Sequence, residues 1–180
     1  QLKADLVDVA GGEERLDAVL DSMGITARGD EVFLPHYEVP RWTGDAAEYP
    51  FFLNSYKLMT HAEGRGANQP HLQEMLGLLV KEHWNSWVEI NPSVARRLDI
   101  AEGEEVWVES PTGERIKVRA ILFEGARPDV VNIPFGLGHE AYGRWAKDRG
   151  ANANRLIVND TNPLAGTLNP YATRVKVYKV

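Results

Sequence analysis

The clearest alternation of apolar and polar residues runs from Trp87 to Phe123 and predicts a strand, a short helix and a β-hairpin. Asn91 stands directly before Pro92, an order typical of a helix start because asparagine caps free N–H groups and proline pre-sets the first helical φ. Beyond a turn at Gly103, valines alternate with polar residues from Glu104 to Ser110, and the Pro-Thr-Gly sequence that follows predicts a hairpin turn. The returning strand alternates through four apolar residues, Ile116, Val118, Ala120 and Leu122.

Apolar residues at helical spacing predict an amphipathic helix from Glu13 to Met23, with Gly24 as its stop. A proline-rich passage from Val32 to Tyr49 predicts a linker. We therefore expect residues 1–48 to be a helix and linker that belong with a preceding domain, and residues 49–180 to form one further domain. The other predicted elements are strands at Tyr49–Leu53, Val130–Ile133 and Thr173–Tyr178 and a helix at Pro70–His83. These strands predict a small sandwich or barrel, without fixing the strand order.

The composition is that of a folded domain, since 43% of the 180 residues are hydrophobic and 26% are charged. The net charge of −6 argues against nucleic-acid binding, because such proteins usually present a basic face to phosphates. The absence of cysteine excludes disulfides, iron–sulfur ligation and thiolate metal ligation within this chain. No apolar stretch is long enough to predict a membrane-spanning helix.

The residues themselves predict neither a catalytic centre nor a metal site. The histidines have neither H-x-x-x-H nor H-E-x-x-H spacing, and no serine stands in a G-x-S-x-G motif. The five histidines are His36, His61, His71, His83 and His139. Binding, not catalysis, is therefore the function that the sequence favours.

A site for phosphate and a purine-like ring fits the residues better. Residues 54–57 are predicted as a loop directly after a strand, where backbone N–H groups, hydroxyls and the Lys57 ammonium can converge on an anion. Gly138 permits close backbone approach to a ligand, and His139 offers a ring donor. Two asparagines in a predicted extended segment, Asn152 and Asn154, carry amides that can match the paired donors and acceptors of such a ring.

Four basic residues near these asparagines, Arg144, Lys147, Arg149 and Arg155, form a cluster that suits an anionic cofactor. The alternative is structural: the asparagines cap turns and the basic residues belong to a solvated loop. The residues alone leave both interpretations open.

Five segments in chain order resemble the C-terminal domain of molybdopterin oxidoreductases of the dimethyl sulfoxide reductase family. They are YPFFLNSYKLMTHAEGRGAN at Tyr49–Asn68, the INP helix and hairpin at Trp87–Phe123, IPFGLGH at Ile133–His139, GANANRL at Gly150–Leu156 and DTNPLAG at Asp160–Gly166. The resemblance covers residues 49–180. It implies a mainly β fold with short helices, a six-stranded double-psi β-barrel of the aspartate-decarboxylase type.

The resemblance also implies a function. In that family the domain covers bis-molybdopterin guanine dinucleotide, contacting pterin and pyrophosphate, while other domains hold the molybdenum or tungsten at which two-electron redox or oxygen-atom transfer occurs. Carried over onto this sequence, the contacts fall on Asn54, Ser55, Tyr56, Lys57, His61, Gly138, His139, Asn152 and Asn154, with Arg65, Asn68 and Tyr171 as weaker candidates. The chain by itself is then expected to be inactive, and replacing Gly138 with valine is expected to block cofactor approach at little cost to the fold.

The implied partners are the remaining domains or subunits of a molybdoenzyme, including an iron–sulfur electron-transfer subunit, in a prokaryotic complex at the periplasmic face of a membrane. Many relatives have T-G-R where this chain has residues 54–56, and threonine where it has Ala62. Both departures remove polar groups. Tyr56 with Lys57, and the spacing from Arg65 to Asn68, resemble the polysulfide and thiosulfate reductase branch, which includes a cofactor-free subunit of a respiratory complex. A structural subunit without cofactor is therefore the alternative function, and a partner-recognition barrel is a third.

Overall fold

The computed structural model describes residues 2–35, 37, 41–80, 82–141, 143–162 and 166–180. The described helices are α1 Leu2–Ala10, α2 Glu13–Ser22, α3 Asp30–Phe33, α4 Pro70–Val80 and α5 Pro92–Arg97. The described strands are β1 Phe51–Lys57, β2 Trp87–Ile90, β3 Glu105–Glu109, β4 Arg115–Leu122, β5 Val130–Phe135 and β6 Arg174–Lys179. Two 3-10 turns lie at Ala62–Gly64 and Ala153–Leu156. None of the described helices has the length and apolar character needed to cross a membrane.

The chain divides into two compact units. One comprises residues 1–40 and 159–169, and the other comprises residues 41–158 and 170–180. The first unit contains α1 to α3, and the predicted helix Glu13–Met23 is confirmed as α2, one residue shorter. His36 and part of the predicted segment Asp160–Gly166 lie outside the described residues. The domain boundary between residues 48 and 49 stays a prediction.

The second unit is built on a closed barrel of six strands in the order β1-β5-β2-β4-β3-β6. The pairs β1/β5 and β2/β4 are parallel, and the other neighbours are antiparallel. Closure leaves every strand with two partners, which removes the exposed edges that an open sheet would present. The predicted mainly β fold with short helices and a six-stranded barrel is confirmed.

The predicted alternation in the hairpin gives the barrel its interior. Val106 pairs with Val118 and Val108 pairs with Ile116 across β3 and β4, and all four side chains are buried. The residues between them face outward because successive side chains of a strand point to opposite faces. The main core also takes Ala153 and Leu156 from the second 3-10 turn, which fixes the segment of Asn152 and Asn154 to the barrel.

A second apolar cluster lies on the outside of the barrel. Trp87 points outward from β2, since its neighbour Val88 belongs to the interior core. The cluster joins this indole to α4 and to the loops after β1 and β5, through Leu58, Ala67, Leu76, Leu137 and Ala146. These loops are therefore attached to the barrel by buried apolar surface.

The capped helix predicted after Asn91 is confirmed. The Asn91 Oδ1 accepts a hydrogen bond from the Ser93 N–H at 2.9 Å, and its Nδ2 donates to the Ala126 carbonyl at 2.8 Å. The predicted helix Pro70–His83 is α4, which ends three residues earlier, at Val80. Gly77 is needed inside α4 because any Cβ there would overlap the His83 ring.

The predicted end of the first strand was wrong. The strand was expected to stop at Leu53, but β1 continues to Lys57. Asn54 pairs with Asn132 and Lys57 pairs with Phe135 in the parallel ladder to β5. Residues 54–57 are thus barrel strand and not a loop.

Candidate functional site

The strand directions bring two long loops to one end of the barrel. Because β1 and β5 are parallel neighbours, the loops that follow them leave from the same end. β2 runs antiparallel to β5 and parallel to β4, so β2 and β4 begin at this end. The two loops touch, since a Cβ on Gly64 would lie 3.1 Å from the Gly136 carbonyl oxygen.

The extension of β1 changes what residues 54–57 can do. Their backbone pairs with β5, so their N–H groups cannot converge on an anion as the sequence predicted. Ser55 is 6% exposed and points into the barrel, and its buried hydroxyl has no hydrogen-bond partner among the described residues. Lys57 is exposed and pairs with Glu63 at 3.2 Å.

Asn54 and Tyr56 point outward into a polar network that the sequence did not predict. The Asn54 Nδ2 donates to the Asn132 Oδ1 at 2.9 Å, and the Asn132 Nδ2 donates to the Glu89 Oε2 at 3.2 Å. The Tyr56 hydroxyl donates to the Glu89 Oε1 at 2.7 Å. Burial, and then the hydrogen bond to Glu89, raise the pKa of Tyr56. The network spans β1, β5 and β2, and only their register brings its members together.

His61 is fully buried, so its side chain does not reach a ligand in this conformation. Its Nδ1 lies 2.7 Å from the Thr60 Oγ1, and its Nε2 lies 2.8 Å from the Gln73 Nε2. Burial lowers the pKa of His61, and the nearby His139 acts in the same direction. The ring therefore ties the loop after β1 to α4 as a neutral imidazole.

A basic pocket of about 310 Å³ lies between the start of β4 and the segment that follows β5. It brings together Gly138, His139 and Asn152 of the predicted contacts. Of the predicted basic cluster, Arg149 and Arg155 line the pocket, and Arg144 and Lys147 do not. Four cationic residues line it, Arg115, Lys117, Arg149 and Arg155, against two acidic ones, Glu140 and Asp148. Arg115 and Lys117 come from β4, and sequence reasoning missed them because they read as outward residues of an ordinary hairpin.

Aromatic rings hold two of the pocket's guanidinium groups. The Arg149 guanidinium lies 5.5 Å from the centre of the Trp84 ring, and the Arg115 guanidinium lies 4.2 Å from the centre of the Trp107 ring. A guanidinium over a ring face can still direct N–H donors to other groups, and the Arg115 Nη1 donates to the Tyr178 hydroxyl at 3.4 Å. Of the described carboxylates, none is paired with Arg149, whereas Arg155 lies 3.7 Å from Glu140.

The pocket wall depends on close backbone packing at Gly138. Its φ is +78°, and a Cβ there would overlap the backbone of Ala151 and Asn152. The Ser86 hydroxyl fixes the segment that contains Ala151, since it donates to the Ala151 carbonyl at 2.9 Å and accepts from the Ala151 N–H at 2.8 Å. The expectation that Gly138→Val would cost the fold little was therefore wrong.

The asparagines do not lie in an extended segment, as was expected. Asn152 caps the 3-10 turn, because its Oδ1 accepts from the Asn154 N–H at 3.0 Å. Both side chains remain exposed. Asn68 is also structural, since its Oδ1 accepts from the N–H groups of Trp145 and Ala146 at 2.7 and 3.0 Å.

The other weaker candidates lie at the surface. The exposed Arg65 side chain donates to the Ala62 carbonyl at 3.3 Å, and Tyr171 is 58% exposed. Neither lines the basic pocket. Within the described part of the chain, no group of three histidine, aspartate or glutamate residues is arranged to hold a metal ion.

Fold and site define a closed β-barrel domain with a cationic pocket at one end. The chain belongs to the molybdopterin dinucleotide-binding domain family: the family model described as "Molydopterin dinucleotide binding domain" matches residues 59–173. This match confirms the resemblance found in the sequence and gives molybdopterin as the class of cofactor.

Curated relatives agree with this assignment, and a solved structure shares the fold. The chain is 36% identical, over 92% of its length and 20% of the relative's, to the arsenate respiratory reductase molybdopterin-containing subunit ArrA of Shewanella sp. (strain ANA-3). It is 30% identical, over 77% of its length and 18% of the relative's, to the thiosulfate reductase molybdopterin-containing subunit PhsA of Salmonella typhimurium. Acetylene hydratase from Pelobacter acetylenicus shares the fold, with a TM-score of 0.65, 22% identity and coverage of 91% of this chain and 23% of that chain. The chain thus spans about a fifth of the length of the curated relatives it matches.

We predict that Gly138→Ala lowers the free energy of unfolding by about 3 kcal/mol, because the new methyl group meets backbone that cannot move aside. Gly113→Ala is the matched control, since Gly113 has a φ of +84° and open space around it. Backbone strain alone should cost that variant about 1 kcal/mol. Urea unfolding followed by circular dichroism measures both, and equal losses would contradict the packing argument.

We predict that His61 makes the domain less stable as the pH falls below about 6.5, the ordinary pKa of histidine. The unfolded chain binds a proton there, but the folded chain does so only at the lower pKa that burial imposes. Stability from His61 is therefore complete above pH 6.5 and decreases, by at most about 1.4 kcal/mol per pH unit, as the pH falls through the folded pKa.

Urea unfolding of the wild type and of His61→Gln at several pH values tests this dependence. His71→Gln, which changes an exposed histidine on α4, is the control and should keep the wild-type slope. An unchanged slope in His61→Gln would show that other groups cause any acid destabilisation.

Proposed function

We propose that this barrel covers one side of a molybdopterin dinucleotide and holds its pyrophosphate in the basic pocket. The observation that carries the proposal is the excess of cations in that pocket, four basic against two acidic residues, in a chain whose net charge is −6. The pocket volume of about 310 Å³ suits part of a dinucleotide and not the whole of it. The rest of the cofactor then lies against other domains.

The side chains match the parts of the cofactor. Guanidinium groups bind phosphate oxygens through paired N–H donors, and Arg149 and Arg155 present such groups. The exposed amides of Asn152 and Asn154 suit a pterin, whose ring edge alternates donors and acceptors. The bound group supplies the redox chemistry, and these residues bind it, orient it and exclude water.

We propose that residues 49–180 are one domain of a larger polypeptide or assembly. The relatives named above are subunits of arsenate and thiosulfate reductases. We propose by analogy a bis-molybdopterin guanine dinucleotide with molybdenum or tungsten held by other domains, and oxyanions of arsenic or sulfur as substrates. An iron–sulfur subunit as electron partner and a position at the periplasmic face belong to the same proposal.

A structural subunit without cofactor is the second candidate, and a specific observation favours it. The side chains of Asn54 and Tyr56 donate hydrogen bonds within the Glu89 network, and His61 is buried. Strand β1 and the loop after it therefore offer few donors to a ligand. The chain is also 36% identical, over 44% of its length and 11% of the relative's, to the menaquinone reductase molybdopterin-binding-like subunit of Nitratidesulfovibrio vulgaris. The cationic pocket favours the first candidate.

The native assembly that contains this chain distinguishes the two candidates. We expect molybdenum or tungsten by mass spectrometry, and the fluorescent oxidised pterin on release, in near-stoichiometric amounts. An intact, folded assembly without either would identify the barrel as a scaffold.

We predict that Arg149→Gln weakens the binding of inorganic pyrophosphate to the 180-residue chain by about tenfold, because a charge-assisted hydrogen bond contributes about 1.5–3 kcal/mol. Isothermal titration at low salt measures the Kd. Arg97→Gln removes the same charge from an exposed position on α5 and should change the Kd by less than about twofold, through long-range electrostatics alone. Equal effects of both changes, or no binding by the wild type, would contradict the assignment of the pocket.

A further inference from the structure

We propose that Gln73 is a positioning residue that holds in place the wall of the basic pocket that carries Arg149. This inference rests on the proposed function and goes beyond it, because Gln73 lies outside the pocket. Its side chain is fully buried in α4, and its amide has three partners in two segments of the chain, His61 and Ala67 in the loop after β1 and Trp84 beyond α4. Each contact leads to a part of the site.

The hydrogen bonds fix the orientation of the Gln73 amide. Its Oε1 accepts from the Trp84 N–H at 2.9 Å, so the NH₂ group faces the two remaining partners. It donates to the Ala67 carbonyl at 2.9 Å and to the His61 Nε2 at 2.8 Å. His61 therefore carries its proton on Nδ1, where it donates to the Thr60 hydroxyl.

The first contact leads to the wall that carries Arg149. Trp84 has a φ of +64°, a left-handed conformation that is unfavourable for a bulky residue and persists only where the surroundings stabilise it. The hydrogen bond from the Trp84 N–H to Gln73 holds it there. Since Arg149 lies over the Trp84 ring, the position of this guanidinium depends on Gln73.

The other contacts lead to the loop after β1. Ala67 precedes Asn68, which accepts the N–H groups of Trp145 and Ala146, a few residues before Arg149. His61 stands at the start of the same loop, which touches the Gly136 backbone. The Gln73 carbonyl oxygen and the Gln73 NH₂ group thus act on the same part of the pocket: the oxygen through Trp84, and the NH₂ group through the loop after β1. Both connections lead to Arg149.

Two substitutions separate the hydrogen bonds of the Gln73 carbonyl oxygen from those of its NH₂ group. Gln73→Met has a similar volume and removes every hydrogen bond of the amide, so the contacts with Trp84, Ala67 and His61 are all lost. Gln73→Glu keeps an acceptor for the Trp84 N–H but offers no donor when ionised. The hydrogen bond to the His61 Nε2 can then form only if that nitrogen carries the proton. The same changes at Gln69, which is exposed directly before α4, serve as controls for charge and hydrophobicity.

Two measurements on the 180-residue chain test the role of Gln73: the protonation of the His61 ring nitrogens and the Kd for inorganic pyrophosphate. In ¹⁵N NMR of the ring nitrogens, we expect an unprotonated Nε2 for His61 in the wild type and a protonated Nε2 in Gln73→Glu. The Kd for inorganic pyrophosphate should rise about tenfold in Gln73→Met, as expected from the loss of about 1–1.5 kcal/mol of positioning. It should rise less in Gln73→Glu than in Gln73→Met, and it should stay near the wild-type value in the Gln69 controls.

The outcomes separate this inference from the proposed function. A wild type that does not bind pyrophosphate overturns both. A wild type that binds, with folded Gln73→Met that binds equally well, overturns only the positioning role. If Gln73→Met does not fold, Gln73→Glu decides: an unchanged His61 tautomer and a Kd equal to that of Gln69→Glu would overturn the inference.

Discussion

The parallel pairing of β1 with β5 is the constraint on which the site depends. It sets two loops that are far apart in sequence at one end of the barrel, and the antiparallel β2 and the parallel β4 add their first residues there. A pocket of mixed origin follows, with Gly138 after β5 and Arg115 at the start of β4. Closure of the barrel makes this arrangement rigid, because no strand can shift register without disturbing two neighbours.

Rigid strands do not by themselves fix the positions of the loops between them. In this barrel the buried Gln73 side chain fixes the loop after β1 and the backbone at Trp84. An unpaired amide costs about 1–3 kcal/mol when buried, so Gln73 is tolerated in the outer apolar cluster only with all its partners in place. This requirement makes the contacts of Gln73 mutually dependent. The loop after β1 and the Trp84 backbone are consequently ordered together, and the pocket is shaped by a residue that does not line it.

Much of the fold was predictable from local patterns, and the errors have physical causes. Alternation predicted β3 and β4, and the Asn-Pro pair predicted α5, because these signals depend on near neighbours. Residues 54–57 were assigned to a loop because their polar side chains hide a strand whose outer face is polar. Gly138 was predicted at the site, but its packing against Ala151 depends on tertiary contacts. Gln73 carried no signal at all, since one glutamine in an apolar helix suggests an exposed position.

The arrangement of cations argues for a ligand more strongly than any single residue does. Four basic side chains around one pocket repel each other, and only part of that repulsion is balanced by Glu140, by Asp148 and by the pairing of Lys117 with Glu105 at 3.2 Å. Arg115 and Arg149 rest on aromatic rings, and Arg149 is paired with none of the described carboxylates, whereas Arg115 donates to the Tyr178 hydroxyl at 3.4 Å. A scaffold gains nothing in stability from such a cluster. A bound anion relieves the repulsion and stabilises the folded state through linkage, so ligand binding offsets the electrostatic cost of the pocket.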